Sequence, residues 1–351
     1  MPHFNQLEPP SLLAHFRRHP PLGFAVLDAA PAPAFVAPFD LLTTADDGFK
    51  QRVAGLPLFA RWSRWLRVRT AFVGTTVTEY APLPAATAPS ALAHALRVAV
   101  APGYRLTIVK DLPQASPLLT DAENAHADAV AAACTAQGFI VVEGQALAYV
   151  PIDFPDIDAY LARLSTSRRK NLKRKLRSRA DVAVRRVPTG DAFADDAAVD
   201  AYYALYRGVY AQSEIHFDEL SRDFFAAVLR DAAAGGTVFE YRRVADGALI
   251  GWNLCFEQRG QLIDKYIGFA YPAAREANLY FVSWMVNLEY AIERGLSHYV
   301  AGWTDPQVKA QLGAQFSFTR HLVYVRNPLL RALARRFAGH FESDRQWSEQ
   351  A

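Results

Sequence analysis

Apolar residues along this chain pass from irregular to periodic spacing near residue 155, and the later part reads almost element by element. Residues from Ile157 to about Arg179 repeat as a helical arm, and DVAVRRV (Asp181 to Val187) alternates as a strand. A helix from about Ala198 to Gln212 carries Tyr202, Leu205, Tyr206 and Val209 on one face, and a second runs from about Leu220 to Ala234, stopped by Gly235-Gly236. GTVFEYRR, ALIGWNLCFEQ and QLIDKYIGF follow as three strands. Their connections, Ala245-Asp246-Gly247 and Arg259-Gly260, are tight enough for an antiparallel meander. The loop AYPAAREAN leads into a long helix from about Leu279 to Arg294, stopped by Gly295. Then come the strand LSHYVAGW, a short helix that Asp305 can cap and Pro306 can begin, and a last strand, TRHLVYVRN, expected to close the sheet. The order is β, α, α, β, β, β, α, β, α, β.

The earlier part holds 17 of the 21 prolines, within residues 1–155. It predicts a helix around Ala91 to Val100, a strand from Tyr104 to Val109, a helix from about Asp121 to Ala136, and two strands, GFIVVEG and ALAYVPI. That is an α/β lobe without a recognisable site. The expected division is therefore a lobe over 1–155, an arm over 156–180, a second lobe over 181–335 and a tail over 336–351.

Composition narrows the function classes. The chain has 351 residues, 51% of them hydrophobic, which is enough for two lobes with cores. Cys134 and Cys255 cannot form a disulfide framework, and no C-x-x-C occurs, so a reducing cytoplasm is the expected location. There is no apolar run of spanning length and no signal-peptide core at the start. The net charge of +3 hides a concentration: residues 163–186 carry 11 Lys/Arg against one acid. An anionic partner is expected at that arm. His216, His298 and His321 are too scattered for a metal set, and neither G-x-S-x-G nor a Walker loop occurs, which argues against metal and phosphoryl-transfer chemistry.

The order of elements resembles the GNAT acyltransferase fold. The segments YLARLSTSRRKNLKRKLR, AIERGLSHYVAGW and DPQVKAQLGAQFSFTRHLVYVRNPLLRAL resemble the Fem-like branch of that superfamily, whose members often carry two GNAT-like lobes. The resemblance covers about residues 157–335. It implies a mixed α/β fold of tandem GNAT-like lobes, the first degenerate, and N-acyl transfer from acetyl-CoA or another acyl-CoA to an amine of a small molecule or sugar. Aminoacyl-tRNA, as in Fem-type cell-wall peptidyltransferases, is the alternative donor, and a non-catalytic pair that binds an anionic ligand is the third reading. One departure stands out: the typical Q/R-x-x-G-x-G/A pyrophosphate loop is replaced by Ala273-Ala274-Arg275-Glu276-Ala277-Asn278.

Acyl transfer needs a held donor, a deprotonated amine and hydrogen-bond donors facing the oxyanion. The start of the helix at Leu279 and Tyr280 directs N–H groups and a positive dipole end at the preceding loop, where Arg275 can add charge and Asn278 can cap. Simple alternation puts Asp264, Tyr266 and Gly268 on one strand face, where a carboxylate and a phenol can handle protons, and puts Lys265 on the other. Each also suits an ordinary structural role. Lys309, four residues before Gly313, looks like the lysine of the F-K-x-x-F/L-G element of the Fem-like branch, with Val308 in place of the aromatic; there it is taken to support transfer. Trp303 precedes the same short helix. Arg168, Arg169 and Lys173 belong to an arm whose charges surround the helix, leaving it no adequate apolar face, so it either stands in solvent or binds anions such as CoA phosphates or tRNA. Stacking aromatics are absent from the arm, which disfavours tRNA. The terminal helix, with Leu329, Leu330, Leu333 and Phe337 opposite Arg331, Arg335 and Arg336, is expected to pack on its own lobe, with peripheral membrane contact as the alternative.

Overall fold

The computed structural model describes residues 2–42, 47–213 and 217–337. In chain order its main elements are α1 (Ser11–Arg18), β1 (Ala25–Val26), β2 (Ala34–Asp40), β3 (Arg67–Val73), α2 (Pro89–Ala95), β4 (Leu106–Pro113), α3 (Asp121–Ala136) and β5 (Ile140–Pro151). They continue with α4 (Ile157–Arg163), α5 (Thr166–Lys175), β6 (Val182–Pro188), α6 (Asp196–Tyr210), α7 (Arg222–Leu229), β7 (Gly236–Arg243), β8 (Leu249–Gln258) and β9 (Gln261–Phe269). The last are α8 (Leu279–Glu293), β10 (His298–Gly302), α9 (Pro306–Gln311), β11 (Gln315–Val325) and α10 (Pro328–Phe337). The ten-element order expected from β6 onward is the order observed. His216 and most of the tail, 338–351, lie outside the described residues.

Two compact units emerge: the described residues of 1–6, 20–146 and 317–351 make one, and 7–19 with 147–316 make the other. Two segments thus belong to the unit remote from them in sequence. Helix α1 buries Leu12, Leu13 and Phe16, and His15 Nε2 meets Asp231 Oδ2 at 2.8 Å. Its apolar face is covered by packing against α7. At the other end, β11 does not close the sheet of its own lobe. It pairs antiparallel with β4, Leu322 opposite Val109, so that Leu322 and Tyr324 enter the core of the first unit.

In the first unit the strands run β1, β2, β3, β4, β11, antiparallel except for the parallel pair β3 and β4. Leu92 of α2 and Val130 and Cys134 of α3 cover that sheet. Helix α3 starts with a full capping box in which Thr120 and Glu123 bond each other's backbone N–H, as its T-x-x-E sequence requires. The two runs GFIVVEG and ALAYVPI form one strand, β5, not two. Gly144 keeps it continuous where Thr319 approaches so closely that a Cβ would lie 2.3 Å from Thr319 Oγ1.

In the second unit the order is β5, β10, β9, β8, β7, β6, with only β9 and β10 parallel. Helix α8 is apolar nearly all round, and its buried Val282, Met285 and Leu288 lie in a core with Tyr241, Leu262 and Tyr299. Tyr202 of α6 and Phe225 of α7 pack on Trp252. The sheet is covered on both faces.

Candidate functional site

Strands β9 and β10 pair over three residues only, Gln261 with His298, Leu262 with Tyr299 and Ile263 with Val300. Beyond them β9 continues to Phe269 against β8 while β10 ends at Gly302. A bulge accompanies the split, because Leu254 faces Tyr266 while the next residue, Cys255, faces Asp264, leaving Lys265 as the extra residue. Bulges kink a strand and redirect its side chains. In sheets with parallel strands, ligands favour the crevice beyond their carboxyl ends.

The bulge also corrects the expected sidedness. Asp264 turns toward α8 and Tyr266 toward α7, where its ring meets Phe224 and Phe225 at 5.8 and 5.4 Å. The two do not share a face. Lys265 is neither an edge charge nor beside Asp264's partners, for its ammonium pairs with Glu8 at 3.3 Å and both side chains are almost wholly buried.

Asp264 is the hub of a buried polar network. Its Oδ2 accepts from Asn287 Nδ2 at 2.8 Å and from the Tyr299 hydroxyl at 2.9 Å, and its Oδ1 accepts from Asn253 Nδ2 at 3.1 Å and Cys255 Sγ at 3.6 Å. Tyr241 extends the network by donating to Asn253 Oδ1 at 2.6 Å. Burial raises the Asp264 pKa against the opposing pull of these donors and of the Lys309 charge. The Tyr299 hydroxyl and the Cys255 thiol are driven well up, first by burial and then by the Asp264 charge.

Lys309 approaches from α9. Its Nζ donates to Ala301 O at 2.7 Å and Gly302 O at 3.1 Å, and the residue is 4% exposed. Gly302, at φ 80, turns the chain there. The ammonium thus sits at the carboxyl end of β10, beside the split. Asp305 occupies the N-cap position at φ 53, yet its side chain makes no capping bond, contrary to expectation; Pro306 does begin the helix. Trp303 is half-buried in the connection between β10 and α9.

The start of α8 lies downstream of β9 through a single turn of helix, Ala273–Glu276. Asn278 stands at the N-cap in the left-handed region, φ 48, without a side-chain capping bond, so the conformation and not a cap explains the asparagine. Leu279 is buried under Gly251, where a Cβ would lie 2.5 Å from Leu279 Cδ2. The Tyr280 hydroxyl is buried without a hydrogen-bond partner, and its pKa is raised by burial and by Asp305 and Asp264. Arg275 is exposed, bonded to Gln212 Oε1, with its guanidinium 4.9 Å from the centre of the Tyr271 ring.

The basic arm is not self-standing, since Leu172 is buried and Leu176 packs on the core of the second unit. Two leucines one turn apart supply the apolar stripe that charge density concealed. Ser178 Oγ donates to Ala277 O at 2.6 Å, Lys175 Nζ lies 3.5 Å from the centre of the Phe281 ring, and Arg179 makes a two-pronged pair with Glu289 at 2.9 and 2.7 Å. The arm therefore passes over the start of α8. Arg168 reaches Ala310 O at 3.4 Å; Lys173 is exposed and Arg169 half-buried.

The structure thus joins Asp264, Lys309, Tyr280 and the start of α8 around one split, and separates Tyr266 and Lys265 from them. Reading the sequence missed Asn253, Asn287, Tyr241 and Tyr299. A signal existed in Asn287, a lone amide in the apolar run LYFVSWMVNL, where burial demands partners. Among the described residues no group of three or more His, Cys, Asp or Glu can hold a metal ion. No helix among them is long and apolar enough to cross a membrane.

Residues 166–310, which hold every member of this constellation, match the family model of the Acetyltransferase (GNAT) domain. The chain carries a GNAT domain. It is accordingly an acyltransferase, with the GNAT domain built on the second unit. No curated protein matches it. Among solved structures it is similar to L-PGS from Bacillus licheniformis, at 10% identity and TM-score 0.52, over 95% of this chain and 98% of that one. It is also similar to FemX, at 11% identity and TM-score 0.50, over 93% of this chain and 98% of that one. Likenesses at such identity show the fold alone, and they extend it through both lobes, as the Fem-like resemblance implied.

Proposed function

We propose that this GNAT protein is an N-acyltransferase that takes an acyl group from acetyl-CoA or another acyl-CoA and gives it to an amine of a small molecule or sugar in the cytoplasm. The observation that carries the reading is the split between β9 and β10, with Lys309 and the start of α8 beside it. A thioester laid in the split would extend the edge of β9 and present its carbonyl to backbone N–H groups, with the Lys309 charge opposing the developing oxyanion. The first turn of α8 suits a pyrophosphate, and the arm crossing it at Lys175 and Ser178 adds positive charge. As the amine nitrogen bonds to the carbonyl carbon and the carbon–sulfur bond breaks, the buried Tyr280 hydroxyl would protonate the departing thiolate, and the proton shed by the nitrogen would return through solvent to the tyrosine oxygen. Asp264, already accepting from four groups, holds Tyr299 and Asn287 in place more than it serves as a free base.

The exposed cations of the arm and the missing glycine-rich loop favour a second reading, with aminoacyl-tRNA as donor in cell-wall synthesis. Calorimetry of the purified chain with acetyl-CoA and with aminoacyl-tRNA, followed by transfer assays on an amine panel, separates the two. Binding and turnover of an acyl-CoA support the first reading. Binding of tRNA with no affinity for any CoA thioester overturns it.

A further inference from the structure

Helix α10 faces the wrong way for a helix that packs on its own lobe. Its sequence PLLRALARRF places Leu329, Leu330, Leu333 and Phe337 along one side, and such a side ordinarily turns inward. Here the leucines are outward, 80%, 57% and 54% exposed. Arg331 turns inward instead, its guanidinium 4.6 Å from the centre of the Tyr324 ring and its Nη1 donating to Val325 O at 3.1 Å. Arg97 lies 4.6 Å from the centre of the same ring, which is 3% exposed.

Two residues before α10, Arg326 lines a cavity of about 460 Å³ together with Arg67, Arg69, Arg105 and Tyr104. Its backbone N–H bonds Arg105 O, and its Nη1 bonds Pro102 O. The segments that meet here, 67–73, 97–105 and 326–337, contain eight arginines and no aspartate or glutamate. Among the described residues Asp40, 3.9 Å from Arg67, tempers the charge. All of these residues belong to the first unit, and none is used by the chemistry of the second.

We propose that this face docks the protein on an anionic lipid bilayer. The leucines of α10 enter the boundary between headgroups and acyl chains, and the arginine-lined cavity receives lipid phosphate. Short basic amphipathic helices lie in that plane, and clustered cations add affinity for acidic headgroups. Three exposed leucines, against the single half-buried ring of Tyr104 in the cavity lining, favour a bilayer over a nucleic acid, whose bases would need several stacking partners.

Cosedimentation of the full chain with vesicles of phosphatidylcholine, with and without 30% phosphatidylglycerol, tests this. The expected result is binding to the acidic vesicles at least ~10-fold tighter than to the neutral ones, weakened by 0.5 M salt. A Leu329→Ser, Leu330→Ser, Leu333→Ser variant and an Arg67→Gln, Arg69→Gln, Arg105→Gln variant should each lose ~10-fold or more while keeping the wild-type circular dichroism and melting temperature. Equal binding to both vesicle types, or no binding by the full chain, overturns the proposal. So does light scattering that shows a dimer broken by the leucine variant without any vesicle binding, which would assign the face to a second copy. A pair of variants that bind acidic vesicles as well as wild type overturns it too.

Discussion

Asp264 and Tyr266, two positions apart on one strand, lie on opposite faces of the sheet because the bulge at Lys265 inserts an odd residue between them. Their roles are therefore separable. Tyr266→Phe removes a hydroxyl on the α7 side and should leave kcat within about 3-fold of wild type. Asp264→Asn places an amide where Asn253, Asn287 and Tyr299 all donate, stranding donors in a buried network at a cost of about 1–3 kcal/mol per lost partner. Activity should fall with stability. Steady-state kinetics and urea unfolding of both variants check this, and a Tyr266→Phe enzyme as impaired as Asp264→Asn would contradict the assignment.

Lys309 has two duties that one substitution will expose together. Removing it strands the carbonyls of Ala301 and Gly302 and takes a positive charge from the carboxyl end of β10. Lys309→Ala should lower kcat by roughly 10 to 1000-fold, equivalent to about 1.4–4 kcal/mol of transition-state stabilisation. It should also lower the melting temperature by several degrees. A Lys309→Met variant restores the packing of the stem without the charge. If its kcat returns to the wild-type value, the ammonium is a structural cap of the strand and nothing more.

Much of this was legible before any coordinates. The helix stop at Gly295, the meander turns and the run of ten elements follow from local periodicity and turn chemistry, which act over a few residues, whereas α7 ends at Leu229 and Gly235 closes a separate short turn, Ala232–Ala234. The failures are of another kind. Sidedness of Asp264 and Tyr266 depends on a register irregularity between two strands, and no property of QLIDKYIGF alone reveals it. The pairing of β11 with β4 joins segments some two hundred residues apart, so alternation in TRHLVYVRN predicts a strand but not its neighbour. In the arm, eight cations concealed the pair Leu172 and Leu176, because charge density says nothing about which side is covered. Asn287 was overlooked because it interrupts an apolar helix by only one residue.

Titration gives an independent handle on the network. Burial holds the folded-state pKa of Asp264 above its ordinary value, so the folded protein binds a proton more tightly than the unfolded chain. This group's contribution to stability is fully present below its ordinary pKa and is lost as pH rises through the raised one. Asp264→Asn cannot titrate. The melting-temperature difference, wild type minus variant, should therefore grow as the pH falls through that window. A difference that shrinks on acidification would mean that the hydrogen bonds from Asn253 and Tyr299 outweigh burial and that the carboxyl is more acidic than usual.

The cations of the arm divide into those that hold the fold and those available to a ligand. Arg179 is committed to Glu289, and Lys175 to the ring of Phe281. Arg168, Arg169 and Lys173 have no such commitment to an acid among the described contacts, and they lie on the helix that leads to the start of α8. Replacing these three with Gln should raise KM for the acyl donor several-fold at low ionic strength and leave kcat nearly intact, because screened ion pairs hold a ligand without following the chemical step. The deficit should close as salt rises, since wild-type binding weakens toward that of the variant. Arg179→Gln should do the reverse, lowering the melting temperature with little salt-dependent change in KM. Kinetics of both variants at low and high salt decide the matter: a triple variant with wild-type KM at every salt concentration would remove the arm from donor binding.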